Sequence, residues 1–222
     1  MLTQRLSFYQ SKGARFAQWR AAISVDGTHP SRGCLAANAL GLARFAAICQ
    51  ETGLLPIVAV EVLMDGGHGL RRCFWVTDMV LHAVFEALYA QRVELGGMLL
   101  MSNMILSGNA CPDDDVMQEV ADATVQCLLG SVPAAVPGVT LFSSGQPFEL
   151  ATERLMTMNR CYRGKLPWRL TFAFGRALQD PALALWKGHP ERTAQAQQAL
   201  LARAAANGAA CLGRESRLAV LK

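Results

Sequence analysis

Lysine is scarce in this 222-residue chain. Only Lys12, Lys165, Lys187 and Lys222 carry an amine, while 17 of the 21 basic residues are Arg. Charge is thin altogether, at 17% against 52% hydrophobic residues, which excludes an intrinsically disordered chain. No apolar run approaches the ~20 residues of a membrane span, because Arg, Asp, Glu or His interrupts each one, and no membrane partner is expected. The 19 Gly and 9 Pro are scattered without a period, which excludes collagen-like and low-complexity architectures. Seven Cys (34, 49, 73, 111, 127, 161 and 211) include no C-x-x-C pair and no Cys/His cluster of zinc-site spacing. No metal site is expected. Free thiols in a reducing compartment account for the odd count, and the first ten residues, MLTQRLSFYQ, lack the apolar stretch of a signal peptide. A cytoplasmic location follows as the expectation.

The net charge of +4 is spread along the chain, apart from Arg71-Arg72 and the Arg160–Arg163 segment. A nucleic-acid binder concentrates its charge, so no nucleic-acid partner is expected, whereas a small anionic ligand is compatible. The length fits one domain, residues 1–222, large enough to bury a core.

What is present is a recurrence of short β-prone runs. They read as Phe16–Ile23, Ile57–Val62, Met98–Asn103, Val139–Phe142 and Leu170–Phe174, with starts 41, 41, 41 and 31 residues apart. A helical pattern fits each gap. Between Arg72 and Arg92, Val76, Val80, Val84 and Leu88 form an i, i+4 stripe with Leu81 and Phe85 beside it. Asp113-Asp114-Asp115 precedes another helical pattern, with Asp115 as its N-cap and Gln118 closing a capping box. Pro190 and Glu191 open a final Ala-rich helix running to Asn207-Gly208 or beyond. A 41-residue period also suits armadillo-like or propeller repeats, but the segments do not resemble one another, and each joins a strand to a helix. The expected architecture is α/β with a parallel sheet, a (β/α) barrel or a doubly wound fold.

In a (β/α) barrel the chemistry sits at the carboxyl ends of the strands. Period-two alternation puts Gln18 with Arg20, Ala59 with Glu61, and Met101 with Asn103. The fourth run leads into Ser143-Ser144-Gly145-Gln146 and the fifth into Gly175-Arg176. Arg176 needs either an anionic neighbour such as Glu61 or an anionic ligand. Ser143, Ser144 and Gly145 read as a turn or as part of a phosphate site, and the loops after the last two barrel strands often hold a phosphate. His68, in DGGHG, and His29 read as loop histidines, with a general-base role as the alternative for His68. His82 reads as a packed helix residue, and the Met residues near 98–104 as core.

Six segments together carry a family signature: GARFAQWR (13–20), LPIVAVEVLMDGGH (55–68), LLMSNM (99–104), VPAAVPGVTLFSSGQ (132–146), PWRLTFAFGRALQDPAL (167–183) and RAAANGAACLG (203–213). In these motifs, and in their order, the chain resembles class I fructose-bisphosphate aldolase. The resemblance implies a (β/α)₈ barrel and a Schiff-base lyase of glycolysis. That reaction splits fructose 1,6-bisphosphate into dihydroxyacetone phosphate and glyceraldehyde 3-phosphate, without metal or other cofactor. It also implies a sugar phosphate as ligand and oligomers, homo- or hetero-, with aldolase subunits. It places phosphate binding at Ser143, Ser144, Gly145, Gly175 and Arg176, substrate binding at Arg20, and a retained acid at Glu61. Three departures fall on the chemistry. The family's Lys-Pro-Asn, which supplies the Schiff-base lysine, reads Met101-Ser102-Asn103. Its Ala-Lys-Trp-Arg reads Ala17-Gln18-Trp19-Arg20, and its Val-Glu-Pro-Glu reads Val58-Ala59-Val60-Glu61, so an acid/base glutamate is replaced by Ala59. The match begins before the family's fourth strand, giving the expectation of about five βα units, an N-terminally truncated barrel, and a pseudoenzyme with the Schiff base lost. The alternatives are an aldolase subunit completed by another chain and a non-catalytic protein that co-assembles with aldolase.

Overall fold

The computed structural model describes residues 1–112 and 115–216. Helix α1 (Leu2–Ser11) precedes strand β1 (Phe16–Ile23). There follow α2 (Arg32–Glu51), β2 (Leu55–Val62), α3 (Leu70–Ala90), β3 (Leu99–Ser102), α4 (Met117–Ser131), β4 (Gly138–Leu141), α5 (Phe148–Cys161), β5 (Arg169–Phe172), α6 (Arg176–Trp186) and α7 (Thr193–Ala210). The five strands are parallel and stand in chain order, β1-β2-β3-β4-β5. This is the sheet of a partial (β/α) barrel. β1 matches the sequence reading to the residue. The other strands are displaced by one or two residues at their ends, where hydrogen-bonding partners rather than side-chain pattern decide the limit.

One face of the sheet carries the main core. Val58, Val60, Val62, Leu100, Val139, Leu141 and Leu170 alternate along their strands and pack with Val76, Val80, Val84 and Leu88 of α3. The α3 stripe read from the sequence is therefore the sheet-facing stripe. α2 and α3 are long and apolar enough to cross a membrane by composition alone, with mean hydropathy 1.2, and each buries one side in this protein core. The opposite, concave face holds the remaining residues of each strand.

Two sequence expectations fail on local geometry. The N-cap of α4 is Val116 without a side-chain cap, so Asp115 does not cap the helix, and Gln118 bonds Asp122 instead (2.7 Å). The Asp115 carboxylate instead accepts from the Ser107 amide at 3.0 Å, a tertiary contact that outcompetes the local cap. Asp113 and Asp114 lie outside the described residues. His82 is exposed rather than packed, with Nδ1 2.9 Å from the Asp78 carbonyl oxygen. The final helix is preceded by a 3₁₀ turn, Pro190–Arg192, that leads directly into α7.

Candidate functional site

In a parallel sheet, residues paired across strands share a face. The register Arg20–Ala59–Met101–Thr140–Thr171 therefore runs as one row across all five strands. None of these residues belongs to the core on the helix side, whereas their sequence neighbours Val58, Leu100 and Val139 do. The row lies on the concave face. One step toward the strand starts, the register aligns Gln18, Ile57 and Leu99. One step toward the strand ends it aligns Ala22 with Glu61. Gln18, Arg20, Ala59, Glu61 and Met101 thus share one face, as their spacing requires. Asn103 does not join Met101. It lies past the end of β3 and turns to the helix layer, where its side chain accepts from the Val62 amide (3.0 Å) and donates to Thr77 Oγ1 (3.1 Å).

Glu61 and Arg20 are bound to each other. Arg20 Nη1 donates to Glu61 Oε2 at 2.7 Å, with Glu61 mostly buried and Arg20 half exposed. This answers the sequence question about Arg176, because the partner of Glu61 is Arg20. Arg176 follows β5, three inter-strand steps from β2, roughly 14 Å at about 4.8 Å per step.

The Ser-Gly and Gly-Arg segments do converge. The turn Ser143–Gln146 closes with the Gln146 amide donating to the Ser143 carbonyl at 3.0 Å. Ser144 (φ 49°) and Gly145 (φ 78°) both stand in the left-handed region. That conformation suits Gly145 and costs Ser144 of order 1 kcal/mol. A Cβ at Gly145 would stand 4.0 Å from Arg176 Nη2. Ser143, Gly145, Gln146, Arg176 and Asp180 line a cavity of ≈ 270 Å³, whereas Ser144, predicted to join them, lines a neighbouring cavity with Asp115 and Arg154, its Oγ buried without a partner. Arg176 opens helix α6 directly after Gly175, so the positive end of the helix dipole lies at the same place. Among the described residues no carboxylate comes within 4.0 Å of the Arg176 guanidinium. The arrangement offers an unpaired cation, the Ser143 hydroxyl and a glycine turn, groups suited to an anionic oxygen cluster, with the Asp180 carboxylate on the same lining. A cavity of ≈ 450 Å³ lined by Pro137, Trp168 and Arg169 lies at the other end, where β4 and β5 begin.

Met101 is 8% exposed, between Ala59 on β2 and Thr140 on β4. The described lysines are elsewhere. Lys12 and Lys165 stand in the connections entering β1 and β5, and Lys187 ends α6. All three therefore lie toward the strand starts, opposite the Ser143–Gln146 turn. Lys222 lies outside the described residues.

The family model described as fructose-bisphosphate aldolase class-I matches residues 1–219. A probable fructose-bisphosphate aldolase class 1 of Xanthomonas campestris is 46% identical over 214 residues, covering 96% of this chain and 64% of that protein. Fructose-bisphosphate aldolase B of Gallus gallus is 48% identical over 212 residues, covering 96% of this chain and 58% of that protein. The aldolase of Plasmodium falciparum, solved in complex with TRAP and a small-molecule inhibitor, superposes with a TM-score of 0.93. It is 42% identical, over 96% of this chain and 62% of that one. The chain belongs to the class I fructose-bisphosphate aldolase family. It spans 58–64% of the length of these aldolase relatives.

The concave face carries Gln18, Ala59 and Met101 together with Arg20 and Glu61, whereas the Ser143–Gln146 turn and Arg176 lie beyond the strand ends. One participant escaped the sequence reading. Arg154 of α5 is 4% exposed and donates from Nη1 to Gln146 Oε1 at 2.6 Å. Burial pushes its pKa down, and Asp115 opposes that shift. An Arg inside an amphipathic helix carries no sequence signal of burial, so only the structure reveals it.

Proposed function

We propose that this aldolase-family chain holds a sugar-phosphate group at the Ser143–Gln146 turn and Arg176 but does not perform Schiff-base cleavage. The observation that carries this reading is Met101, which occupies the family's amine position on β3 with Ala59 beside it. A thioether has no proton to lose and cannot condense with a carbonyl, whatever the pH. Schiff-base catalysis needs a nucleophilic amine and a carboxylate that moves protons. At this position the first is replaced, and of the two family glutamates only Glu61 remains, held by Arg20 at 2.7 Å. The phosphate-gripping half of the site keeps Ser143, Gly145, Gly175 and Arg176, with Ser144 where the family's Ser-Gly-Gly-Gln has glycine. The reading includes a cytoplasmic setting for this chain, supported by its membership of a family described as glycolytic. Steady-state assay of fructose 1,6-bisphosphate cleavage by the purified chain tests it: no turnover above a buffer blank is expected, and turnover overturns it.

A second reading has its own observation. β1 and β5 are both edge strands, and Phe16, Gln18 and Arg20 of β1 are exposed. Such edges suit completion of the barrel by strands of another chain, or co-assembly with aldolase subunits. Co-expression with a full-length aldolase and capture through a tag on this chain would recover the aldolase under this reading and leave it unbound otherwise.

A further inference from the structure

The Ser143–Gln146 turn is held from behind by a buried guanidinium that plays no direct part in the phosphate reading. Gln146 is the link. Its Nε2 donates to the Ser143 carbonyl at 2.8 Å, alongside the Gln146 backbone amide, and its Oε1 accepts from Arg154 Nη1 at 2.6 Å. Arg154 is itself fixed from the other side. Its Nη2 donates to the Asp115 carbonyl at 3.3 Å and lies 3.9 Å from the Asp115 carboxylate, which is held by the Ser107 amide. The chain of contacts runs from the loop after β3, through α5, to the loop after β4.

This arrangement is a poor device for stability. Arg154 is nearly fully buried, its one carboxylate partner is at the long limit for an ion pair, and its Nε has no partner. Taking a guanidinium out of water with so few contacts costs more than an apolar side chain of the same volume would. Its bonds instead converge on the one residue that closes a strained turn, in which Ser144 occupies the left-handed region. A planar fork can bond Gln146 with one arm and Asp115 with the other, fixing an angle that a point charge cannot.

We infer that Arg154 is a positioning residue that presets the Ser143–Gln146 turn for an anion, acting through Gln146 and never touching the ligand. The inference rests on the proposed phosphate reading. Removing Arg154 leaves Gln146 Oε1 without its donor and frees the turn to leave the left-handed geometry. The anion then has to reimpose that geometry on binding, which weakens its affinity.

The test is titration of the full chain with inorganic phosphate, followed by ³¹P NMR or calorimetry, for the native protein, Arg154→Met and Leu155→Ala. Leu155 is a fully buried neighbour on α5 and a member of the main hydrophobic core, so its truncation destabilises the fold through packing. Arg154→Met is expected to bind phosphate roughly tenfold more weakly, a change of about 1.4 kcal/mol, while Leu155→Ala binds as the native chain does despite a lower melting temperature. Equal affinity in Arg154→Met and the native chain overturns the inference. So does an equal loss in both variants, because the effect would then follow stability. Where Arg154→Met fails to fold, Arg154→Lys carries the same comparison, since it keeps the charge and loses the fork. Failure of the native chain itself to bind phosphate removes the phosphate reading, a result distinct from either of these.

Discussion

Met101 is the side chain on which the proposed loss of Schiff-base chemistry rests. It is unbranched and close to lysine in length, so it fills the space of a lysine stem without disturbing the sheet. Its register neighbours Ala59 and Thr140 bring no amine and no carboxylate to its row. A second residue makes a separate prediction. His68 is 9% exposed, and neither ring nitrogen has a hydrogen-bond partner. Burial, with the nearby Arg72, pushes its pKa below the ordinary 6.5, while Asp115 opposes. The native state therefore prefers the neutral ring. Above pH 6.5 both folded and unfolded chains hold it neutral and this contribution is intact. Below it the unfolded chain gains a proton that the native chain resists, so stability falls as pH falls. Melting temperature is expected to drop between pH 7.5 and 5.5, with a shallower drop in His68→Gln. An unchanged slope in that variant would remove His68 as the cause.

At the scale of elements, the alternation of apolar residues made the strands and α3 legible in advance, because those residues face the shared core. Leu100 illustrates it: it is fully buried on the helix side of β3, among the core residues. Leu100→Ala is expected to cost about 2–5 kcal/mol in urea unfolding, whereas Ile57→Ala, half-buried on the concave face, costs less. Equal losses would contradict the assignment of faces. The start of α4 was not legible. Asp115 has the chemistry of a cap, but a contact with Ser107 eight residues earlier claims it, and no local pattern encodes that. The Arg20–Glu61 ion pair was half legible. Period two put both residues on the concave face, but their meeting depends on the β1–β2 register.

At the scale of the molecule, five parallel strands in chain order form an open sheet with two edges. Phe16 and Trp19 on the β1 edge are 62% and 47% exposed. An uncovered parallel edge with apolar side chains is a template for association. Sedimentation velocity of the 222-residue chain is expected to show association that rises with concentration. A monomer at all concentrations, unfolding cooperatively, would contradict that. The family was legible, since the motifs are contiguous and ordered along the chain. The Asp115–Arg154–Gln146 linkage was not, because it joins three segments only after folding.

On the proposed function, the molecule keeps a site for a sugar phosphate and lacks the amine that would react with it. The most direct measurement is borohydride reduction of the purified chain in the presence of dihydroxyacetone phosphate, followed by intact-mass spectrometry. The expected spectrum contains only the unmodified chain. A stoichiometric reduced adduct would show that a lysine of this chain forms the imine and that the Schiff-base chemistry is intact.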